Sequence, residues 1–253
     1  MDDWAAISQS LQELLDSLCL TISNELGIED DVIGGRIWLL PEAVAASLTG
    51  RDTGSRLSEV TLGAQRFFQI LGLLQPHRMV NIATRLGGAT STSGITWAES
   101  KGFIGMLTSG RVPEGIKANS VREVFMLHNE GWPADIQTMS ESTWRREVPR
   151  AVRLGRSVED VRRLIELYEV AVGAQIAVAE PDCGQRGLGC VTIHTPSGIP
   201  LEEDARLAAA DRCYAYAANI RAIILHYLGV SADVPPDPLS FPGDEGGTIS
   251  HDG

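Results

Sequence analysis

Apolar residues recur every three or four positions at the start of the chain: Trp4, Ile7, Leu11, Leu14, Leu18, Ile22 and Leu26. Ser8, Gln9, Gln12, Glu13 and Asp16 fill the positions between them. A stride near 3.6 residues places the first set on one face, so the pattern predicts an amphipathic helix over about residues 3–26. Gly27 stands where a helix-ending residue takes left-handed backbone. The heptad-like spacing of Trp4, Ile7, Leu11, Leu14 and Leu18 also suits a seam with a second helix. These five are therefore candidate partner-binding residues, and residues 1–27 a candidate projecting association helix.

Beyond this helix the stride is less regular. IEDDVIGGRIWLL (28–40) fits either a helix weakened by Gly34-Gly35 or a short strand. Pro41 suits the first turn of a short helix, PEAVAASL, before Gly50 and the loop TGRDTGS (49–55). Leu57–Leu74, carrying Phe67, Phe68, Ile70 and Leu71, reads as a buried helix broken by Pro76; HRMVNIATRLGG then reads as a shorter one. GGATSTSG (87–94) reads as a polar loop, because it lacks the Lys-Ser/Thr of a phosphate-cradling loop and no clear strand precedes it. Ser120–Glu123 matches a capping box for a helix through about His128, followed by a turn at EGWPAD (130–135).

A further helix is expected over about 139–154, with Pro149 at a kink or boundary. Ser157 then caps a helix whose apolar stripe is Val158, Val161, Leu164, Ile165, Tyr168, Val172 and Ile176, ended by Glu180-Pro181. The Ala-rich stretch over about 200–228 is the longest helix expected. The tail, 230–253, has four prolines, five acids and no Lys or Arg; it cannot bury enough apolar surface to order itself. The expectation is a mainly α fold. It is an irregular multi-helix bundle forming one domain over 1–229, with at most a short β element near 190–195 and a disordered acidic C-terminal tail over 230–253.

Charge changes the picture of partners. The 253 residues carry a net charge of −12, whose mean field repels phosphate and argues against indiscriminate binding to nucleic acid or anionic membrane. The N-terminus has no basic and apolar leader, and no run approaches the roughly 20 apolar residues of a membrane span. A cytoplasmic or virion location without membrane contact is expected. The exception to the acidic balance is local. Arg145, Arg146, Arg150, Arg153, Arg156, Arg162 and Arg163 stand against Glu147, Glu159 and Asp160. On a helix, Arg146, Arg150 and Arg153 share a face. This strip is either a solvated, ion-paired face or a candidate anion- or nucleic-acid-binding surface. Trp97, Trp132 and Trp144 are either stacking surfaces for bases or core anchors.

Candidate chemistry is thin. EPDCGQRGLGCVTIHTPSGIP (180–200) holds Cys183, Cys190 and His194, with Cys213 further on. Cys-x6-Cys-x3-His is a loose chelate for zinc, and a Cys183–Cys190 disulfide needs an oxidising compartment. The favoured reading is a Gly-rich connection into a short strand, CVTIHT, turned by Pro196-Ser197-Gly198. No nucleophile elbow, metalloprotease helix or dinucleotide fingerprint occurs. Asp30-Asp31 and Glu202-Glu203 read as acids at helix N-termini.

No catalytic residue, metal or cofactor is therefore assigned. The expected function is a non-enzymatic helical assembly or protein–protein interaction protein, a homo-oligomer or a binder of a protein partner. Two alternatives stand beside it. Size, helical content and the arginine strip are compatible with viral nucleoproteins or coat proteins that bind RNA or DNA. A metal- or thiol-dependent enzyme would use Cys183, Cys190 and His194.

Overall fold

The computed structural model describes residues 2–47, 59–88, 95, 97–98, 101–109, 124–128, 132–149, 153, 155–177 and 187–229, with backbone alone for 2–4, 59–61 and 124–128. Cys183, Arg150, the capping box at 120–123, the loop at 49–55, most of the loop at 87–94 and the tail lie outside the described residues.

The helix expected at the start of the chain is α1 (Asp2–Leu26), and Gly27 follows it with φ 63°. Next come β1 (Gly34–Leu39), α2 (Pro41–Ala46), α3 (Glu59–Leu74), β2 (Val80–Arg85), α4 (Gly102–Ser109), β3 (Val124–His128) and α5 (Glu141–Glu147). Then follow α6 (Val158–Leu167), β4 (Tyr168–Ile176), β5 (Gly189–Pro196) and α7 (Glu203–Tyr227). The five strands form one antiparallel sheet in the order β2-β1-β5-β4-β3. The mainly α bundle is therefore corrected to a helix-covered antiparallel sheet.

Several segments read as helix are strands. HRMVNIATRLGG does not restart a helix after Pro76; His77 makes a turn with φ 59° and Val80–Arg85 pairs with β1. Residues 124–128 pair with β4. The stripe beginning at Ser157 is cut in two. Ser157 does cap α6, its hydroxyl accepting from the Asp160 N–H at 3.1 Å, but the helix stops at Leu167 and the chain continues as β4. Asp30-Asp31 lie in the turn before β1, whereas Glu202 is the N-cap of α7 and Glu203 lies in its first turn.

The sheet has two covered faces. On the first, Ile37, Leu39, Val172, Ala174, Ile176, Val191 and Ile193 pack with α1, α3 and α7 in the largest core. α1 and α7 run antiparallel: Ser10 bonds Tyr227, Ser17 and Thr21 bond Tyr216, and Glu25 pairs with Arg212. Ile7, Leu11 and Leu18 are fully buried in this core and Leu14 packs against it. Four of the five seam residues are thus consumed by the chain's own sheet, and α1 lies flat rather than projecting. The Trp4 side chain is outside the described residues.

On the second face, Trp38, Tyr168 and Cys190 pack with Met79, Trp97, Phe103, Ile104, Leu107 and Leu164, mostly from α4, α6 and the segment before α4. Gly34-Gly35 begins β1 because both faces approach closely there. A Cβ on Gly34 would strike the His194 ring, and one on Gly35 would meet Leu15 at 2.9 Å and Cys19 at 3.0 Å. A third, smaller cluster of Ile136, Met139, Trp144, Val148, Val158 and Val161 joins α5 to α6.

Candidate functional site

The second face carries a cleft of about 40 Å³ lined by β1, β4, β5, α4, α6 and Trp97. Strand alternation decides which side chains reach it. Arg36 and Trp38 of β1 lie opposite Thr192 and Cys190 of β5, which lie opposite Gly173 and Gln175 of β4; successive even steps share a face. Tyr168 reaches the same face through a bulge between Tyr168 and Val170. The bulge leaves Glu169 as the extra residue and re-aims the phenol.

Arg36 is the centre of the site. It is 6% exposed, and its Nη2 donates to the Tyr168 hydroxyl at 2.8 Å. Its guanidinium lies 5.9 Å from the Trp38 ring centroid and 5.8 Å from that of Tyr168, within the range of cation–π attraction. Among the described residues no carboxylate pairs with it, and its Nε has no acceptor. The indole N–H groups of Trp38 and Trp97 are likewise buried without an acceptor there.

Around Arg36 runs a continuous series of rings and cations. Tyr168 meets the His194 ring edge-on at 4.6 Å, and Trp38 meets Trp97 at 6.2 Å. Arg156 lies 4.2 Å from the Trp97 ring centroid. Trp97 is held by its carbonyl, which accepts from Met79 N–H at 3.0 Å. Gly102 (φ 67°) stands where a Cβ would press on both Arg156 and Trp97, so glycine is required twice over, by backbone and by space.

His194 shares hydrogen-bonding distance with the Leu86 carbonyl, 3.3 Å from Nε2. Burial, reinforced by the positive charge of Arg36, pushes its pKa down to about 3. It is therefore neutral near pH 7, with Nε2 carrying the proton toward Leu86. Cys190, also on this face, is fully buried; its thiol lies 3.8 Å from the Ile104 carbonyl, and burial pushes its pKa to about 12. It stands as a free thiol. Cys19 and Cys213 are buried in the first-face core, and burial raises both. Cys213 and His194 thus lie on opposite sides of the sheet, and among the described residues no cluster of His, Cys, Asp or Glu is arranged to hold a metal.

The arginine strip is dispersed rather than continuous. Arg145 pairs with Glu141 at 2.7 Å and Arg146 with Glu147 at 2.7 Å, both exposed. Arg163 pairs with Glu159 at 3.5 Å. Arg153 donates to the Val148 carbonyl and Arg162 to those of Ile136 and Met139, tying α6 to the turn before α5. Arg156 is drawn into the second face beside Asp160 and Trp97. Trp144 is fully buried, its indole N–H donating to the Arg156 carbonyl at 2.9 Å, and Trp132 packs on it at 6.2 Å. These three tryptophans are wall and core.

No known protein family, curated protein or solved structure matches this chain. Among the described residues, no helix is long and apolar enough to cross a membrane.

Sequence reasoning singled out His194 and Trp97 for other roles and passed over Arg36, Trp38 and Tyr168. The signal for Arg36 was its position: one charged residue inside the apolar run IGGRIWLL.

Proposed function

We propose that the protein is a binding module for a small anionic molecule, held in the second-face cleft by Arg36 and Tyr168. The observation that carries this reading is Arg36, a residue only 6% exposed, whose guanidinium has no carboxylate partner among the described residues. A buried charge without a counterion costs several kcal/mol in a folded protein, on the order of the pair itself when one partner is removed. A fold that keeps one beside a cleft favours an anion from outside. Binding is favoured over catalysis because the described lining offers no poised acid–base pair: His194 is engaged and neutral, and the nearby Cys190 thiol, buried beneath the lining, is protonated.

The test is the effect of Arg36→Met on the empty protein. If the guanidinium serves a ligand, the variant folds with unchanged or higher stability, up to about 2 kcal/mol, because an uncompensated charge is removed. Urea denaturation measures this. A loss of several kcal/mol would instead make Arg36 a structural strut and remove the basis of the reading.

Association with another protein or a second copy is the second reading, and one observation favours it. Ile70, Leu73 and Leu74 at the end of α3 are 57%, 83% and 73% exposed, an apolar group that solvent alone does not favour. This moves the expected partner surface from the α1 seam to α3. Leu73→Glu is expected to lower the apparent mass in light scattering with little change in folding; an unchanged mass would remove α3 from consideration.

A further inference from the structure

The cleft also constrains the chemistry of its occupant. Arg36, Trp38 and Trp97 line the cleft, and neither arginine nor tryptophan side chains carry an acceptor. Tyr168 accepts from Arg36, which leaves its own O–H to donate. The acceptors among the described lining side chains are Thr192 Oγ1, the Tyr168 hydroxyl oxygen and His194 Nδ1. An occupant with acceptor atoms suits the Arg36 and Tyr168 donors; one with several hydroxyl or amino groups brings more donors than these few acceptors take.

Charge narrows the choice further. Arg36 is the one ionised side chain among the described lining residues. A monoanion neutralises it, whereas a dianion carries an extra negative charge into a low-dielectric site. The guanidinium fork matches the plane and spacing of a carboxylate. The remaining walls are Phe103, Ile104, Leu164 and Ala171, which suit carbon. At about 10–15 Å³ for each enclosed water, the 40 Å³ cleft has room for a carboxylate and about one further carbon, with the rest of the body extending outward.

From these features we infer that the Arg36 cleft takes a small monocarboxylate with an apolar body, of the propionate or benzoate kind, rather than a phosphate ester, a sugar or a nucleotide. This rests on the anion-binding reading above. The carboxylate docks on the Arg36 guanidinium and the Tyr168 hydroxyl, and its carbon body lies against Trp38, Trp97 and Phe103.

The experiment is isothermal titration of the full chain with four probes: sodium propionate, sodium benzoate, benzamide and inorganic phosphate. One or both carboxylates are expected to bind at least about tenfold more tightly than benzamide or phosphate, the margin of one charge-assisted hydrogen bond. Tyr168→Phe is expected to weaken that binding about tenfold, and Arg36→Met to abolish it. An Arg36→Met variant that fails to fold would remove the anion reading and this inference with it; where it folds, Tyr168→Phe is the second test, because it keeps the charge and removes one hydroxyl, which accepts from Arg36 and donates to the ligand. Phosphate binding more tightly than both carboxylates, with the loss still dependent on Arg36 or Tyr168, would overturn the monocarboxylate and leave the anion reading standing. Benzamide binding as well as benzoate would overturn the monocarboxylate and point to an apolar pocket. Binding of none of the four, or binding unchanged in both variants, would overturn the inference and the anion reading together.

Discussion

Trp144→Ala is expected to destabilise the protein by about 3–5 kcal/mol, the range for emptying a fully buried large aromatic site. The indole is the largest side chain in the cluster that joins α5 to α6, with no exposed surface. Its N–H also donates to the Arg156 carbonyl, so truncation leaves that carbonyl without this donor. The second consequence is local. Arg156 rides on the Trp97 ring, and Trp97 forms one wall of the Arg36 cleft. A loosened α5–α6 unit is therefore expected to weaken ligand binding even though Trp144 touches no ligand. Chemical denaturation gives the first effect. Titration at a temperature where the variant is still folded gives the second, and unchanged affinity there would separate the α5–α6 cluster from the cleft.

The second large effect is acid sensitivity from His194. Its folded pKa is about 3, well below the ordinary value near 6.5. The unfolded chain therefore binds a proton that the folded chain refuses. Stability is full above about pH 6.5 and is lost progressively as pH falls toward 3. Between pH 7 and pH 5 this single group removes about 2 kcal/mol. Urea midpoints at pH 7, 6 and 5 should trace the loss, and His194→Gln should flatten it over that window. A wild-type slope equal to that of the variant would show that the ring is accessible to protons in the folded state. An anion seated on Arg36 offsets the positive charge that helps depress His194, so ligand-saturated protein should lose less stability on acidification.

The long helices were legible because their apolar stride had no competing reading. α1 ends at Leu26 with Gly27 beyond it, and α7 covers Glu203–Tyr227 within the expected 200–228. β4 was not legible for a definite reason. Tyr168, Val172 and Ile176 are four apart, and four is both about one helical turn and two strand steps. Such a set shares a face in a helix and in a regular strand, although here the bulge after Tyr168 turns that residue to the other face. The residues between them decide: Val170 and Ala174 are also buried on β4, which the strand alternation requires and a helical stripe does not. VFMLH (124–128) is a short apolar run that periodicity alone cannot assign, and its strand state comes from pairing with β4.

The site was harder still. Arg36, Tyr168 and His194 come together across β1, β4 and β5. Their meeting depends on sheet register and on a one-residue bulge, neither of which leaves a local signature. The arginine strip was visible as composition, but its carboxylate and carbonyl partners were not, so a cluster in sequence became several separate ties in space.

The strand order has a consequence for how the chain reaches this state. Among the described strands β5 is the last made and the central one, joining β1 on one side and β4 on the other. Before it is available, β1–β2 and β3–β4 are two separate pairs, each with an inner edge whose backbone groups lack their native partner. The sheet therefore closes late, through contacts between distant parts of the chain, which makes for slow folding. During synthesis those open edges are the places where two nascent chains would pair with each other instead of waiting for their own final strand.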